Sequence, residues 1–326
     1  MTLPFDSYSI SDDIVVFSNA GRQNSIDCFE YEEGERGIDE FDIVVYDKAK
    51  DSILWHFVDE ETFILDGSKS YIPIQEIGID GDFLFYATTY QFPITFMGDS
   101  MTHLEPDYLG IQYSTKLHKI NWTTGERLWS KRLDGNVRPE KVREIKVVDD
   151  GSIMIAMETN GPLLYDGEVY DPPHMQNFGI YGSDIYNMLF LKIDKEGNYI
   201  NHQHIKTIND KAVREVQIED SGVVYGYGAG RFGKELVVGE DTISFPDDAH
   251  NGFFLKFDKD LNLEYYKFFP GNDLTAVWSA NSIGENTVIN VHLDDSLFLA
   301  SDTIVNQYTD QVSLTETHQW LSLIHI

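Results

Sequence analysis

Short runs in which apolar and polar residues alternate dominate this chain. "QEIGIDGDFLFYA" from Gln75, "REIKVVDDGSIMIAM" from Arg143 and "REVQIEDSGVVYGYG" from Arg214 share one pattern. Ile145 and Val147, or Val216 and Ile218, fall on one side of such a run, the period-two signature of a strand with one buried face. The Asp-Asp-Gly-Ser and Asp-Ser-Gly clusters inside these stretches supply tight turns between antiparallel strands. A further kind of run appears as "DIVVYDKAKDSILW", "TKLHKINWTTGERLW", "LFLKIDKEGNYI" and "FFLKFDKDLNLEYY". Tyr46, Ile120, Ile193 and Phe257 hold equivalent places in it, at similar spacings along the chain. Leu189, Leu191 and Ile193 lie on one face, as do Phe253, Leu255 and Phe257. Phe190, Lys192 and Asp194, or Phe254, Lys256 and Asp258, form a mixed opposite face, expected to be packed in part and wetted at its edge. Return strands such as "ERLWSKRL" and "LEYYKFF" follow. No long stretch carries the i, i+3, i+4, i+7 spacing of an amphipathic helix with a cap at its head.

The runs recur as a set. Gly34-Glu35, Gly98-Asp99, Gly167-Glu168 and Gly239-Glu240 return at a near-constant interval, and "ELVVGEDTI" from Glu235 reappears one interval later as "SLFLASDTI" from Ser296. One β-supersecondary unit repeated about five times accounts for that recurrence. The expected fold is all-β: a β-propeller of four-stranded antiparallel blades at about 9–70, 71–136, 137–208, 209–271 and a partial 272–320, an open and truncated ring forming one domain over 1–320. A β-sandwich would explain the alternation but not the recurrence. The final "LSLIHI", residues 321–326, matches the translated end of a transposon used in preparing sequencing libraries. It is read as a non-native tail, with the natural chain expected to continue beyond Trp320.

At "FFLKFDKDLNLEYYKFF" and "LFLKIDKEGNYINHQHI" the units resemble the β-propeller repeats common in bacterial surface and secreted proteins. "INWTTGERLW" is similar to the outer strands of quinoprotein-like propellers. The resemblance spans most of residues 9–310. It implies a scaffold in an exported bacterial protein, extracellular or at the cell surface, and no particular activity. Quinoprotein enzymes use an adjacent cysteine pair, whereas Cys28 stands alone here, so no cofactor is expected. The N-terminus "MTLPFDSYSISDD" shows no signal-peptide pattern.

Charge narrows the partners. The 55 acidic residues outnumber 24 basic ones, for a net −31, which repels nucleic acid and anionic membrane faces. No apolar run approaches the roughly 20 residues that cross a bilayer as a helix, so no membrane insertion is expected. Cys28 excludes an intrachain disulfide and reads as a small buried residue.

Candidate chemistry is sparse. The turns Asp194-Lys195-Glu196-Gly197-Asn198 and Asp258-Lys259-Asp260-Leu261-Asn262 space oxygens like the start of a calcium loop, but neither continues with further ligands, so both read as hairpin turns. His202 and His204 share a strand face, and a metal would need a third ligand such as His174; they read instead as exposed or edge-packed, and no metal site is expected. "YGYGAGRFG" does not open a helix, which removes a dinucleotide reading. The acid pairs Asp247-Asp248 and Asp294-Asp295 read as solvated turns. The one distinctive loop is Tyr165 to Met188, rich in Tyr, Pro, Asp and Gly. Loops on rigid scaffolds carry function, so Tyr165, Tyr170, His174 and Tyr181 are the ligand-binding candidates, for protein or carbohydrate. The expectation is a non-enzymatic binding scaffold with no catalytic residue. The alternative is a propeller hydrolase or lyase using acids at a central funnel. Oligomeric state is left open.

Overall fold

A computed structural model of the chain describes residues 7–11, 13–20, 41–59, 74–90, 94–96, 99–101, 114–134, 141–159, 163–170, 187–207, 213–230, 235–239, 241–244, 251–270, 275–283, 286–293, 296–299, 302–305 and 321–325. All regular structure among them is strand, and the strands pair antiparallel. The all-β expectation holds. The chain divides into two compact units, Met1–Val147 with Thr159–Phe178 and Ile193–Tyr199, and Val148–Glu158 with Gly179–Lys192 and Ile200–Ile326.

In the first unit β1 (Ser7–Ser11), β2 (Ile14–Ala20), β3 (Phe41–Asp47) and β4 (Ser52–Asp59) form a four-stranded sheet in chain order. Next come β5 (Ile74–Asp80), β6 (Phe83–Tyr90), the hairpin β7 (Ile94–Phe96) and β8 (Asp99–Met101), β9 (Ser114–Asn121) and β10 (Glu126–Asp134). After β11 (Lys141–Val147), and after β12 (Ile153–Thr159), which belongs to the second unit as far as Glu158, the chain forms the hairpin β13 (Leu164–Tyr165) and β14 (Glu168–Val169). The second sheet runs β14-β13-β10-β9-β6-β5, so a hairpin from later in the chain is added to the outside of β10. Val16, Ile43, Val45, Ile77, Ile79, Leu84, Tyr86 and Ile120 make this unit's apolar cluster, with Trp55 and Trp122 packed against it. His118 is buried here, its ring nitrogens 2.9 Å from the hydroxyls of Thr88 and Ser130 and its ring stacked on Tyr86.

The second unit holds β15 (Asn187–Ile193), β16 (Tyr199–Thr207), β17 (Val213–Ile218), β18 (Val224–Gly230), β19 (Glu235–Val238), β20 (Asp241–Ser244), β21 (Asn251–Phe257) and β22 (Leu263–Pro270). The sheet that starts at β11 continues β12-β15-β16-β19-β20, and the next is β17-β18-β21-β22. Phe190 meets Phe257 edge-on at 5.2 Å within a cluster that includes Met154, Ile205, Val224, Leu236 and Leu255. Lys192 is buried, so the mixed face of β15 is enclosed rather than wetted. His204 is buried as well, which corrects its reading as exposed or edge-packed. Beyond these lie β23 (Thr275–Ile283), β24 (Asn286–Leu293), the hairpin β25 (Ser296–Leu299) with β26 (Asp302–Val305), and β27 (Leu321–His325). β27, from the segment read as foreign, pairs with β24, placing Val291 opposite Leu321.

Three of the positions matched by spacing share local backbone geometry. Tyr46 pairs with Val15 and Ile53, Ile120 with Leu84 and Arg127, and Phe257 with Val224 and Leu263. Each lies beside a bulge whose extra residue is Leu54, Leu128 or Glu264. Bulges of this kind re-aim the outer strand and sharpen its twist. The turn before each outer strand closes on a left-handed residue: Asp51 (φ 51°), Gly125 (72°), Gly197 (79°) or Leu261 (64°). The side-chain oxygen of Asp47, Asn121, Asp194 or Asp258 caps the same turn from its first residue by accepting backbone N–H groups.

The Gly-acidic pairs behave less uniformly. Asp166-Gly167 is a two-residue turn between paired Tyr165 and Glu168, whereas Gly239 comes first in the turn between Val238 and Asp241. Moreover, β13–β14 and β19–β20 attach to β10 and β16, the last strands of the preceding sheets. Two sheets therefore have six strands. Gly34-Glu35, Gly98, Glu240 and Cys28 lie outside the described residues.

Candidate functional site

The loop singled out by composition begins with hairpin β13–β14. Asp166 and Gly167 both take positive φ, 51° and 91°, the two-residue turn whose twist suits a hairpin. The Asp166 N–H donates to Arg132 O at 2.8 Å, and Lys131 Nζ lies 2.6 Å from Asp166 Oδ2. These bonds hold the hairpin against β10.

Tyr165 is only 2% exposed, and its hydroxyl donates to Gly197 O at 2.8 Å. Burial, together with the nearby Asp166 and Asp194 carboxylates, raises its pKa far above the ordinary phenol value, so the proton stays. Tyr165 thus anchors the 194–198 turn from inside. Tyr170 follows β14; its N–H donates to Leu163 O at 3.0 Å, and its half-buried ring stacks on Tyr199 with centroids 3.9 Å apart and planes 23° from parallel. Of the four candidates the structure places Tyr165 and Tyr170 together, at the two ends of one short hairpin. His174 and Tyr181 lie outside the described residues.

The 194–198 turn is fastened by several side chains. Lys195 O accepts hydrogen bonds from Lys119 Nζ (2.9 Å) and Trp129 Nε1 (3.0 Å), while Lys195 Nζ reaches Asp80 Oδ2 at 2.8 Å. The Lys119 ammonium also sits 4.6 Å from the centre of the Phe83 ring. Burial lowers its pKa; Glu196 acts the other way and Lys195 adds to the lowering. Burial opposes ionisation of Asp194, but hydrogen bonds from the Asn198 side chain and from the backbone N–H groups of Asn198, Glu196 and Gly197 outweigh it and hold the pKa below the usual carboxylate value. Asp194 Oδ1 accepts from Glu196 N at 3.0 Å and Asn198 N at 2.7 Å. Its oxygens are thereby turned onto the chain itself.

The second unit repeats the fastening. Lys192 Nζ donates to Lys259 O at 2.9 Å, and Asn201 Nδ2 to Asp260 O at 2.7 Å. Among the described residues no three His, Cys, Asp or Glu side chains gather into a possible metal cluster, and no helix is long and apolar enough to cross a membrane. Sequence reasoning does not reach Tyr199, Trp129 and Lys131. The "GNYI" and "ERLW" strings mark their strands, but their roles depend on a hairpin that is distant from them along the chain.

No family model matches the chain, and no curated protein matches it. Among solved structures it is similar to a protein of unknown function from Bacteroides caccae, at 10% identity and a TM-score of 0.31, covering 76% of this chain and 78% of that one. It is also similar to the tail fiber of Staphylococcus aureus phage P68, at 10% identity and 0.25, covering 95% and 70%. The third is the extracellular domain assigned to a one-component system of B. thetaiotaomicron, at 10% identity and 0.18, where the chain spans 54% of that structure.

Proposed function

We propose that this chain is a β-propeller scaffold of four-stranded blades, four complete and a fifth partial, from an exported bacterial protein. Its role is to bind a protein or carbohydrate ligand through hairpin β13–β14 and the loop that follows. Repetition of the bulge, the left-handed turn residue and the lysine fastening supports the repeat reading. One observation carries the binding reading: the Tyr170 ring is held against Tyr199, above a turn fixed by Lys119, Trp129 and Tyr165. An aromatic ring backed by a second ring loses little freedom when it takes up a sugar face or an apolar side chain.

The test is titration calorimetry of the chain against panels of glycans and surface-protein peptides, beside Tyr170→Ala and Tyr165→Phe. The expected result is a ligand bound without turnover. Tyr170→Ala should weaken it about tenfold or more, a loss of about 1.4 kcal/mol, with a small fall in melting temperature from the lost stack on Tyr199 that leaves the chain folded at the temperature of the titration. Tyr165→Phe should lower stability while leaving the ligand contacts in place. Binding untouched by Tyr170→Ala would refute the site, and chemical turnover of the bound ligand would refute the scaffold.

A further inference from the structure

Two joints in this chain share one design. In the first unit Lys119, on β9, and Trp129, on β10, both donate to Lys195 O, at 2.9 and 3.0 Å, and Lys195 Nζ returns to Asp80 Oδ2 at 2.8 Å. In the second unit Lys192, on β15, donates to Lys259 O at 2.9 Å, and Asn201, on β16, to Asp260 O at 2.7 Å. Each joint takes a lysine from one sheet, a donor from the strand beside it, and carbonyls from an Asp-Lys turn of the next sheet.

Strands β21 and β22 carry the same donors. Lys256 precedes Phe257 as Lys119 precedes Ile120 and Lys192 precedes Ile193. Its neighbours across the sheet are Tyr225 and Tyr265, where those of Lys119 are Phe85 and Trp129. Ile79 pairs with Leu84 and Ile218 with Val224, so Glu219 holds the place of Asp80. What differs is cover. The Lys192 side chain is 4% exposed and that of Lys256 33%, with Lys256 Nζ 3.0 Å from Glu264 Oε2 of its own sheet. Burial lowers the pKa of Lys119, whereas the Glu264 side chain raises that of Lys256.

We propose that Lys256, Tyr265 and Glu219 form a docking site for the Asp-Lys turn of a further repeat unit. The occupant is a hairpin of the kind this chain carries at 187–207. Its alternating strand leads into a turn whose carbonyls receive Lys256 and Tyr265, and whose lysine meets Glu219 and Asp220. Both filled joints hold such a turn, and the carboxylates favour its cation. The sheet that would carry it is already begun: Val277 and Ile289, of β23 and β24, share an apolar cluster with Tyr225 and Phe254. A strand beside β24 takes the third place, as β21 does beside β18. It ends near the start of β24, as Phe257 ends opposite Val224, and its turn follows.

The test replaces residues 321–326 with a second copy of 187–207 and follows Lys256 by trace acetylation and mass spectrometry. Lys119 and Lys192 are internal references, and their staying slow shows that the fold is intact. Acetylation of Lys256 should slow about tenfold or more in the extended chain, since a held ammonium reacts only when the joint opens locally. Lys195→Glu within the added copy should restore the parent rate by setting a carboxylate against Glu219. Glu219→Lys combined with it should slow the reaction again. Lys256→Met should lower the melting temperature more in the extended chain than in the parent. A Lys256 rate that the added hairpin leaves unchanged, or slowing indifferent to Lys195→Glu, would overturn the proposal. So would slowing in the unextended chain that grows with protein concentration, which would make the Lys48 turn of a second copy the occupant.

Discussion

Gly197 is where backbone strain, packing and the candidate site meet. Its φ of +79° lies in the left-handed region, and an added Cβ would come within 3.2 Å of the Lys131 and Trp129 side chains. Left-handed backbone costs a residue with a Cβ about 1–2 kcal/mol, and here the crowding adds to it. Gly197→Ala is expected to lower stability by about 1–3 kcal/mol in urea unfolding and to disturb the Tyr170–Tyr199 stack, read as altered tyrosine fluorescence. Leu261 holds the equivalent position at φ 64° and is 2% exposed. Its side chain fills the second unit's core, and burying a leucine contributes about 1.5–3 kcal/mol, enough to offset the strain. Both turns are legible in the sequence as hairpin turns, because the Asp-x-x-x-Asn spacing lets one carboxylate cap the turn. The role of Tyr165 is not legible there, since the carbonyl that accepts from its hydroxyl belongs to a residue far along the chain, Gly197.

At the scale of elements, the unforeseen feature is a lysine on the third strand of a sheet that fastens a later turn. Alternation shows that Lys119 and Lys192 face away from the apolar side of their strands; it cannot show that the second face is also enclosed. Lys192 combines the bond to Lys259 O with an ion pair to Asp150 Oδ2 at 2.9 Å. The pKa of Asp150 falls from 3.8 to about 2: the Ser152 hydroxyl lowers it most, burial opposes, and Lys192 lowers it further. A carboxylate depressed on folding adds stability above its unfolded pKa and loses it as pH falls through the folded one. The contribution of Asp150 should therefore be complete above about pH 4–5 and fade towards pH 2. Urea midpoints of Asp150→Asn should lie below those of the parent at pH 6 and converge with them as pH falls to 2. A gap that stays constant with pH would mean that the ion pair contributes nothing.

For the whole chain, the period-two alternation is enough to find most of the described strands, but the sheets they form have four, six, six, four, three, two and two strands, not the uniform four expected from the recurrence. The recurrence is not enough to assign the hairpins, because neighbours in sequence need not be neighbours in a sheet. Tyr165 pairs with Leu133 and Val238 with Ile205, each in the preceding sheet. Joining sheets in this way puts pairs from distant parts of the chain under the influence of the overall charge. With 55 acidic and 24 basic residues, a large excess of carboxylates must stand without a cationic partner, so compaction works against self-repulsion. Screening shortens from about 30 Å at 0.01 M salt to about 3 Å at 1 M. Thermal unfolding at a protein concentration low enough to keep copies apart should thus shift upward by several degrees between these limits. Sodium chloride should act in the same direction as lowering the pH from 8 to 5, since both reduce the net negative charge that is felt. A melting temperature that falls with salt would mean that the few cations are placed so well that local ion pairs outweigh the summed repulsion.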